Sequence, residues 1–135
     1  QEIEKGDLEA VWSYLRSLEP ERSPYLVAGQ LSEKARMGRR LFEDKKVGCA
    51  DCHPAPLFTT MKTYDVGTKH ELDRNTDFDT PTCRELWRTA PYLHDGSAVT
   101  LEQMLTHFNT EGKHGATSHL SRQQIEALVE YLLSL

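Results

Sequence analysis

Apolar residues recur at helical spacing near the start of the chain, and this pattern predicts an amphipathic helix over residues 7–19. The apolar face of this helix consists of Leu8, Val11, Trp12, Leu15 and Leu18. Asp7 is the expected N-cap, because its short side chain can accept a hydrogen bond from a free N–H of the first turn. Pro20 and Pro24 end the helix, and residues 20–31 are predicted to form a linker.

A second helix is predicted to begin after Ser32, a typical N-cap residue, and to end near Asp44. Its apolar positions are Ala35, Met37, Gly38, Leu41 and Phe42. Residues 54–82 are rich in Pro, Thr, Asp and Gly and show no sustained period. They are predicted to form a long loop, with short strand pieces within residues 61–66, followed by a short helix over residues 82–88.

Two capping boxes mark later helix starts, since in each a hydroxyl and a glutamine three residues on can satisfy each other's backbone N–H. Thr100 with Gln103 begins a helix that is predicted to reach Phe108, and Ser121 with Gln124 begins the last helix. The apolar stripe of the last helix consists of Ile125, Leu128, Val129, Leu132 and Leu133. The pattern as a whole predicts an all-α fold with long loops.

Composition narrows the class of protein. The chain has 135 residues, which suits one domain, and 38% of them are hydrophobic. The net charge of −5 argues against nucleic-acid binding, which favours a basic surface. No apolar stretch is long enough to span a bilayer.

Residues 49–53 carry the most specific chemistry, because Cys49, Cys52 and His53 form the C-x-x-C-H pattern that attaches a c-type haem. Two thiols three residues apart on a helical turn point to the same side, so both can bond to one porphyrin. The adjacent imidazole then becomes the proximal iron ligand. Covalent haem is attached outside the cytoplasm, so the motif predicts a periplasmic or otherwise extracytoplasmic protein, and Gln1 is expected to be a mature terminus or a cut inside a longer chain.

Other uses of paired cysteines suit the sequence less well. A zinc site needs two further ligands at paired spacing, and the remaining cysteine, Cys83, has no neighbouring partner. A thioredoxin-like pair requires a strand and helix setting that the flanking residues lack. A disulfide scaffold would use more cysteines, in an even number. Cys83 is interpreted as a small buried apolar residue.

The order of residues around the motif resembles the class I cytochrome c fold. In that fold the first and last helices cross closely, with a glycine at the crossing and aromatic residues beside it. Gly38 and Phe42 lie four residues apart on the helix before the motif, and Leu128 and Tyr131 lie three residues apart on the last helix. The resemblance implies helices packed around one covalent haem, which long loops wrap.

A narrower resemblance covers roughly residues 29–135. Residues 78–84 (FDTPTCR), 87–97 (WRTAPYLHDGS) and 100–102 (TLE) are similar to the C-terminal haem domain of the bacterial di-haem cytochrome c peroxidase and MauG family. Many members carry TPTLR where this chain has TPTCR. Residues 10–18 resemble both the closing helix of a preceding haem domain and the chain's own residues 127–135, so residues 1–28 are expected to be the tail of such a domain.

The resemblance implies electron transfer, because in that family the C-terminal haem transfers electrons and the N-terminal haem reacts with peroxide. The chain departs from the family by having one C-x-x-C-H motif instead of two. The leading hypothesis is therefore a monohaem electron-transfer domain whose partner is a redox protein or a second haem domain. Peroxidase or oxidase activity and gas sensing remain the alternatives.

The sixth iron ligand decides between these functions, since a six-coordinate iron has no open position for peroxide. The candidates are Met61, His70, His94, Met104, His107, His114 and His119. In class I cytochromes the ligand lies in the loop before the last helix, which favours His114, and flanking glycines allow this loop to approach a porphyrin. His107 is the second choice, because it lies near the position at which members of the peroxidase and MauG family have a Met or Tyr ligand.

Further residues are candidates for haem contacts. Arg84 and Arg88 could pair with the haem propionates, since a guanidinium matches carboxylate geometry, or could be solvated surface residues. Trp87 and Tyr92 could line the haem pocket or fill the core. His94 is expected to hold its loop by hydrogen bonds or to reach a propionate.

Overall fold

The computed structural model describes residues 4–135. Within them the helices are α1 (Lys5–Ser17), α2 (Glu33–Glu43), α3 (Cys49–Cys52), α4 (Leu101–Leu105) and α5 (Arg122–Leu133). A 3-10 turn covers Leu86–Arg88, inside the short helix predicted for residues 82–88. Strands β1 (Thr63–Tyr64) and β2 (Phe78–Asp79) pair antiparallel, so the expected strand piece is present and its partner is a feature that the sequence did not predict.

The helix starts agree with the predicted caps except in α1. The Ser32 hydroxyl accepts the N–H of Ala35, and both capping boxes form. The predicted cap at Asp7 is wrong, because α1 begins one turn earlier with Glu4 as the N-cap residue. Asp7 lies in the first turn instead, where a negative charge interacts favourably with the helix dipole.

Helix α4 is shorter than predicted. It ends at Leu105 instead of near Phe108, and the hydroxyl of Thr106 donates a 2.6 Å hydrogen bond to the carbonyl of Glu102. A threonine that bonds back to its own helix in this way competes with the backbone pattern. Residues 106–117 leave the helix axis and form the loop that carries His114.

The core is centred on the crossing of α2 and α5. A Cβ placed on Gly38 would lie 1.9 Å from the carbonyl oxygen of Ala127, so the two backbones touch. Beside the crossing, the rings of Phe42 and Tyr131 meet edge to face at 5.4 Å, and Leu128 is fully buried. The crossing predicted from the cytochrome resemblance is therefore present. Met37 was expected on the apolar face of α2, but its side chain is 45% exposed.

Helix α1 lies apart from this core. It makes no contact with another described helix or strand and has no buried residue. The side chains of its predicted apolar face are all more than half exposed. Within residues 4–135, no helix has both the length and the apolar character that a bilayer crossing requires.

Removing residues 1–18 is expected to change the free energy of unfolding of the remaining chain by less than about 0.5 kcal/mol, because α1 buries nothing against it. Leu132 of α5 takes the place of Leu15 when residues 127–135 are aligned with residues 10–18. Its side chain is 4% exposed, and Leu132→Ala is expected to lower the free energy of unfolding by about 2–5 kcal/mol. Denaturant unfolding of the two variants measures both values. A loss on deletion as large as that of Leu132→Ala would contradict the independence of α1.

Candidate haem and iron-ligand site

The C-x-x-C-H segment forms one helical turn between the core and the long loop. Cys49 and Cys52 are the first and last residues of α3, and the N–H of His53 donates a 2.9 Å hydrogen bond to the carbonyl of Cys49. The three cysteines of the chain are free thiols. Burial raises the pKa of Cys49 to about 11, so this thiol keeps its proton at neutral pH. Residues three apart on a helical turn share a face, so this turn places the two thiols on one side of the segment.

The His53 ring is held by its Nδ1. This atom donates to the carbonyl oxygen of Phe58 at 2.9 Å, and the Sγ of Cys83 lies 3.1 Å away. Burial lowers the pKa of His53 and favours the neutral imidazole. Because the proton is used at Nδ1, the lone pair at Nε2 is free to bind a metal, which is the usual arrangement for a ligating histidine.

His114 lies opposite His53. The two ring centroids are 6.4 Å apart and the ring planes are inclined by 35°. An imidazole nitrogen lies about 2 Å from a metal that it binds, and the ring centre is about 1 Å beyond the nitrogen, so two ligating imidazoles on opposite sides of one metal have centres about 6 Å apart. The observed separation therefore fits a single iron between the rings.

The electrostatics of His114 suit a metal ligand. Burial, and secondarily the neighbouring His53, lower its pKa to about 4, so the imidazole is neutral at physiological pH. Its Nδ1 is shielded from solvent and has no hydrogen-bond partner among the described residues. Such an orphaned buried nitrogen is costly unless a ligand satisfies it.

The loop that carries His114 is joined to the motif segment. The N–H of Ala116 donates to the carbonyl of Val47 at 2.9 Å, two residues before Cys49. A Cβ on Gly115 would lie 3.2 Å from the same carbonyl, and Gly115 has φ +81°, so a glycine is needed here both for space and for conformation. This contact fixes the distance between the two histidine-bearing segments.

The other predicted contacts lie in several places. The indole Nε1 of Trp87 is buried without a partner among the described residues, as is the hydroxyl of Thr68. The hydroxyl of Tyr92 donates to the carbonyl of Leu86 at 2.7 Å, and its ring belongs to the core. Trp87 is therefore free to donate to a propionate, whereas Tyr92 already uses its donor.

The two arginines and His94 have protein partners in the structure. Arg84 donates to the carbonyl of Pro56 at 3.2 Å, and Arg88 forms an ion pair with Glu85. The Nε2 of His94 lies 2.8 Å from a carboxylate oxygen of Asp73, and its ring stacks on Phe78 at 3.7 Å. His94 thus joins two parts of the long loop, and the propionate roles of the arginines stay predictions.

The second-choice ligand, His107, is exposed on the surface beside Phe108, and its ring meets that of Phe108 at 4.8 Å. Sequence reasoning missed three groups near the histidines: the carbonyl of Phe58, the thiol of Cys83 and the side chain of Asn109. None has a motif of its own. Cys83 was predicted to be buried, and it is 7% exposed. Its contact with His53 could not be predicted, because the two residues are 30 positions apart in the sequence.

Comparison with known proteins places this site in a family. No protein-family profile matches the chain. It is 35% identical to hydrazine synthase subunit gamma of Kuenenia stuttgartiensis, over 95% of this chain and 48% of that protein. It is also 32% identical to MauG of Methylophilus methylotrophus, over 76% of this chain and 36% of MauG, and 30% identical to cytochrome c551 peroxidase of Nitrosomonas europaea, over 78% and 35%.

The chain belongs to the di-haem cytochrome c peroxidase and MauG family. A solved structure of K. stuttgartiensis hydrazine synthase superposes with a TM-score of 0.85 at 33% identity, covering 98% of this chain and 56% of that one. A MauG-like protein associated with microbial copper homeostasis superposes with a TM-score of 0.74 at 21% identity, which shows the fold alone. The resemblance drawn from residues 78–102 is thereby confirmed.

Membership of the peroxidase and MauG family establishes a cytochrome c-like fold and a haem-based redox function in general terms. The chain spans about half the length of hydrazine synthase subunit gamma and about a third of the other two relatives. The activities of those whole proteins therefore do not transfer to this chain directly.

Proposed function

We propose that this chain transfers electrons through one c-type haem, which is covalently attached at Cys49 and Cys52 and ligated by His53 and His114. The observation that carries the proposal is the 6.4 Å separation of the two imidazole rings. With an imidazole on each side, the iron has no vacant position for peroxide. This arrangement favours electron transfer over peroxidase chemistry for the haem that this chain would carry.

The haem supplies the one-electron Fe(III)/Fe(II) exchange, and the protein residues set its environment. Two imidazole ligands lower the reduction potential relative to a His and Met pair. The hydrogen bond from His53 to the carbonyl of Phe58 makes the imidazole a stronger electron donor, which also favours ferric iron. The buried indole N–H of Trp87 is the best supported propionate donor, since it has no other described partner. Arg84 and Arg88 are additional candidates.

Residues 29–135 form the haem domain in this proposal, and residues 1–28 belong to a neighbouring one. The segment 10–18 repeats five of the nine residues of 127–135 at the same positions. Ala10, Tyr14 and Leu15 thus correspond to Ala127, Tyr131 and Leu132, which pack against α2 at the core of this domain. In this proposal the exposed apolar face of α1 packs inside a second haem domain, as the corresponding face of α5 packs in this one. That second domain is the expected redox partner. Because c-type haem is attached outside the cytoplasm, the protein is proposed to be extracytoplasmic.

Production in a host that matures c-type cytochromes tests the proposal. The purified chain is expected to carry the mass of one haem that survives denaturation, to show a low-spin spectrum with sharp bands in the reduced state, and to reduce and reoxidise reversibly. The double variant Cys49→Ala, Cys52→Ala is the matched control and should lack the covalent haem.

Three outcomes would contradict the proposal. The mass of the bare polypeptide would exclude covalent haem. A high-spin ferric spectrum together with peroxide turnover in the presence of an electron donor would instead establish the peroxidase alternative. Rapid CO binding by the ferrous protein without turnover would favour gas sensing.

A further inference from the structure

Asn109 is a buried side chain that makes four hydrogen bonds to the loop after it. It is 4% exposed. Its Oδ1 accepts the N–H of His114 at 2.9 Å, and its Nδ2 lies 3.2 Å from the carbonyl of His114, 2.7 Å from the carbonyl of Gly115 and 2.9 Å from the hydroxyl of Thr117. An amide nitrogen has two hydrogens, so these three acceptors share them.

These bonds fix the backbone of His114 on both sides. One side chain holds the N–H and the carbonyl of the same residue, so the peptide planes before and after His114 cannot rotate independently. The imidazole has no hydrogen bond at Nδ1 to direct it. The direction of the ring therefore depends on the backbone, and the backbone is held by Asn109.

The same network ties the loop to the core. The hydroxyl of Thr117, one of the partners of Asn109, donates to the carbonyl of Leu105 at 2.6 Å at the end of α4. A second tie, the ion pair of Lys113 with Asp65 at 3.0 Å, is at the surface, where such pairs contribute little. The hydrogen bond from Ala116 to Val47 also holds the loop. Asn109 differs from it in being the side chain that binds both backbone groups of His114 itself.

We infer that Asn109 is the positioning residue for the sixth iron ligand: its side chain holds the His114 backbone so that the imidazole faces His53. This inference rests on the proposed function. It adds that the occupancy of the sixth position is controlled by a residue that does not touch the iron. Loss of the Asn109 side chain should leave His53 and the covalent attachment in place and release His114.

Asn109→Leu tests this inference in the haem-loaded protein, because leucine has a similar size and makes none of the four bonds. We expect a high-spin ferric fraction and an increase of at least about tenfold in the rate of CO binding to the ferrous form. Asn109→Asp keeps the oxygen that accepts the His114 N–H but loses both Nδ2 hydrogens, and should lie between Asn109→Leu and the unaltered protein. Asn75→Leu makes the same change at an exposed loop position and should behave as the unaltered protein.

A second measurement covers the case in which Asn109→Leu does not accumulate. Hydrogen exchange of the amides of residues 110–116 in haem-loaded Asn109→Asp should be at least about tenfold faster than in the unaltered protein. Unchanged exchange, or a fully low-spin Asn109→Leu with unaltered CO binding, would overturn the inference. If His114→Ala becomes high-spin while Asn109→Leu does not, only the inference fails; if His114→Ala stays low-spin, the ligand assignment fails and the inference falls with it.

Discussion

Gly38→Ala is expected to destabilise the fold by about 3 kcal/mol or more. The added Cβ would lie 1.9 Å from the carbonyl oxygen and 2.6 Å from the carbonyl carbon of Ala127. Both atoms belong to the backbone of α5 and cannot move away as a side chain would. The two helices must separate, and the contacts of Phe42 and Leu128 loosen with them.

An opposing effect has to be compared with this clash. Alanine is favoured over glycine in a helix interior by about 1 kcal/mol, which would stabilise α2. The overlap at the crossing outweighs that gain, because contact distances below 3.0 Å are not found for real Cβ atoms and only a shift of the helix backbones can relieve it.

Denaturant unfolding of the haem-loaded protein measures the result, and Gly6→Ala provides the matched control. A Cβ on Gly6, in α1, meets nothing within 4 Å, so this variant should be as stable as the unaltered chain or slightly more so. Equal stability of Gly38→Ala and Gly6→Ala would show that α2 and α5 do not cross as closely as described.

The two helices of the crossing could be predicted from the sequence because their patterns are local, whereas the crossing itself was implied by the resemblance to the class I cytochrome c fold. The apolar positions of α2 and α5 follow a helical period, and the N-caps Ser32 and Ser121 stand next to the residues they bond. Such patterns are contained within a dozen residues, so no knowledge of the tertiary structure is needed to interpret them. Gly38 stands among the apolar positions of α2, and the fold resemblance implied that it lies at the close crossing.

The remainder depends on contacts between distant segments. Strand β2 pairs with β1 across 13 intervening residues that have no period of their own. The end of α4 is set by the turn toward Asn109, whose importance is visible only once the carbonyls of His114 and Gly115 are near it. The apolar stripe of α1 correctly predicted a helix, but a stripe does not reveal whether a partner is present in the same chain.

Part of the candidate site could also be predicted from the sequence. The motif predicted Cys49, Cys52 and His53 directly, and the resemblance to the class I cytochrome c fold predicted the loop in which His114 lies. The acceptor for His53 could not be predicted, because it is a backbone carbonyl, at Phe58, that any residue type could supply. Cys83 reaches the same ring nitrogen from 30 residues away.

His114→Ala is expected to convert the iron from low-spin to high-spin and to open the sixth position to CO. The imidazole of His114 is the described histidine ring that faces His53 at a separation suited to one metal ion. Alanine has no group that could replace it, whereas the proposed attachment at Cys49 and Cys52 does not involve residue 114. The haem should therefore remain bound while its ligation changes, which absorption and electron paramagnetic resonance spectra measure directly.

His107→Ala is the matched control for the ligand assignment. It removes the same side chain seven residues earlier, where the ring is exposed, and should leave the low-spin spectrum unchanged. His114→Met separates loss of a ligand from loss of structure: a thioether can bind the iron, so the protein should stay low-spin while its potential rises by roughly 0.1 V or more, within the span of about 0.8 V that axial ligands cover. A low-spin His114→Ala with an unaltered potential would show that another residue completes the iron coordination.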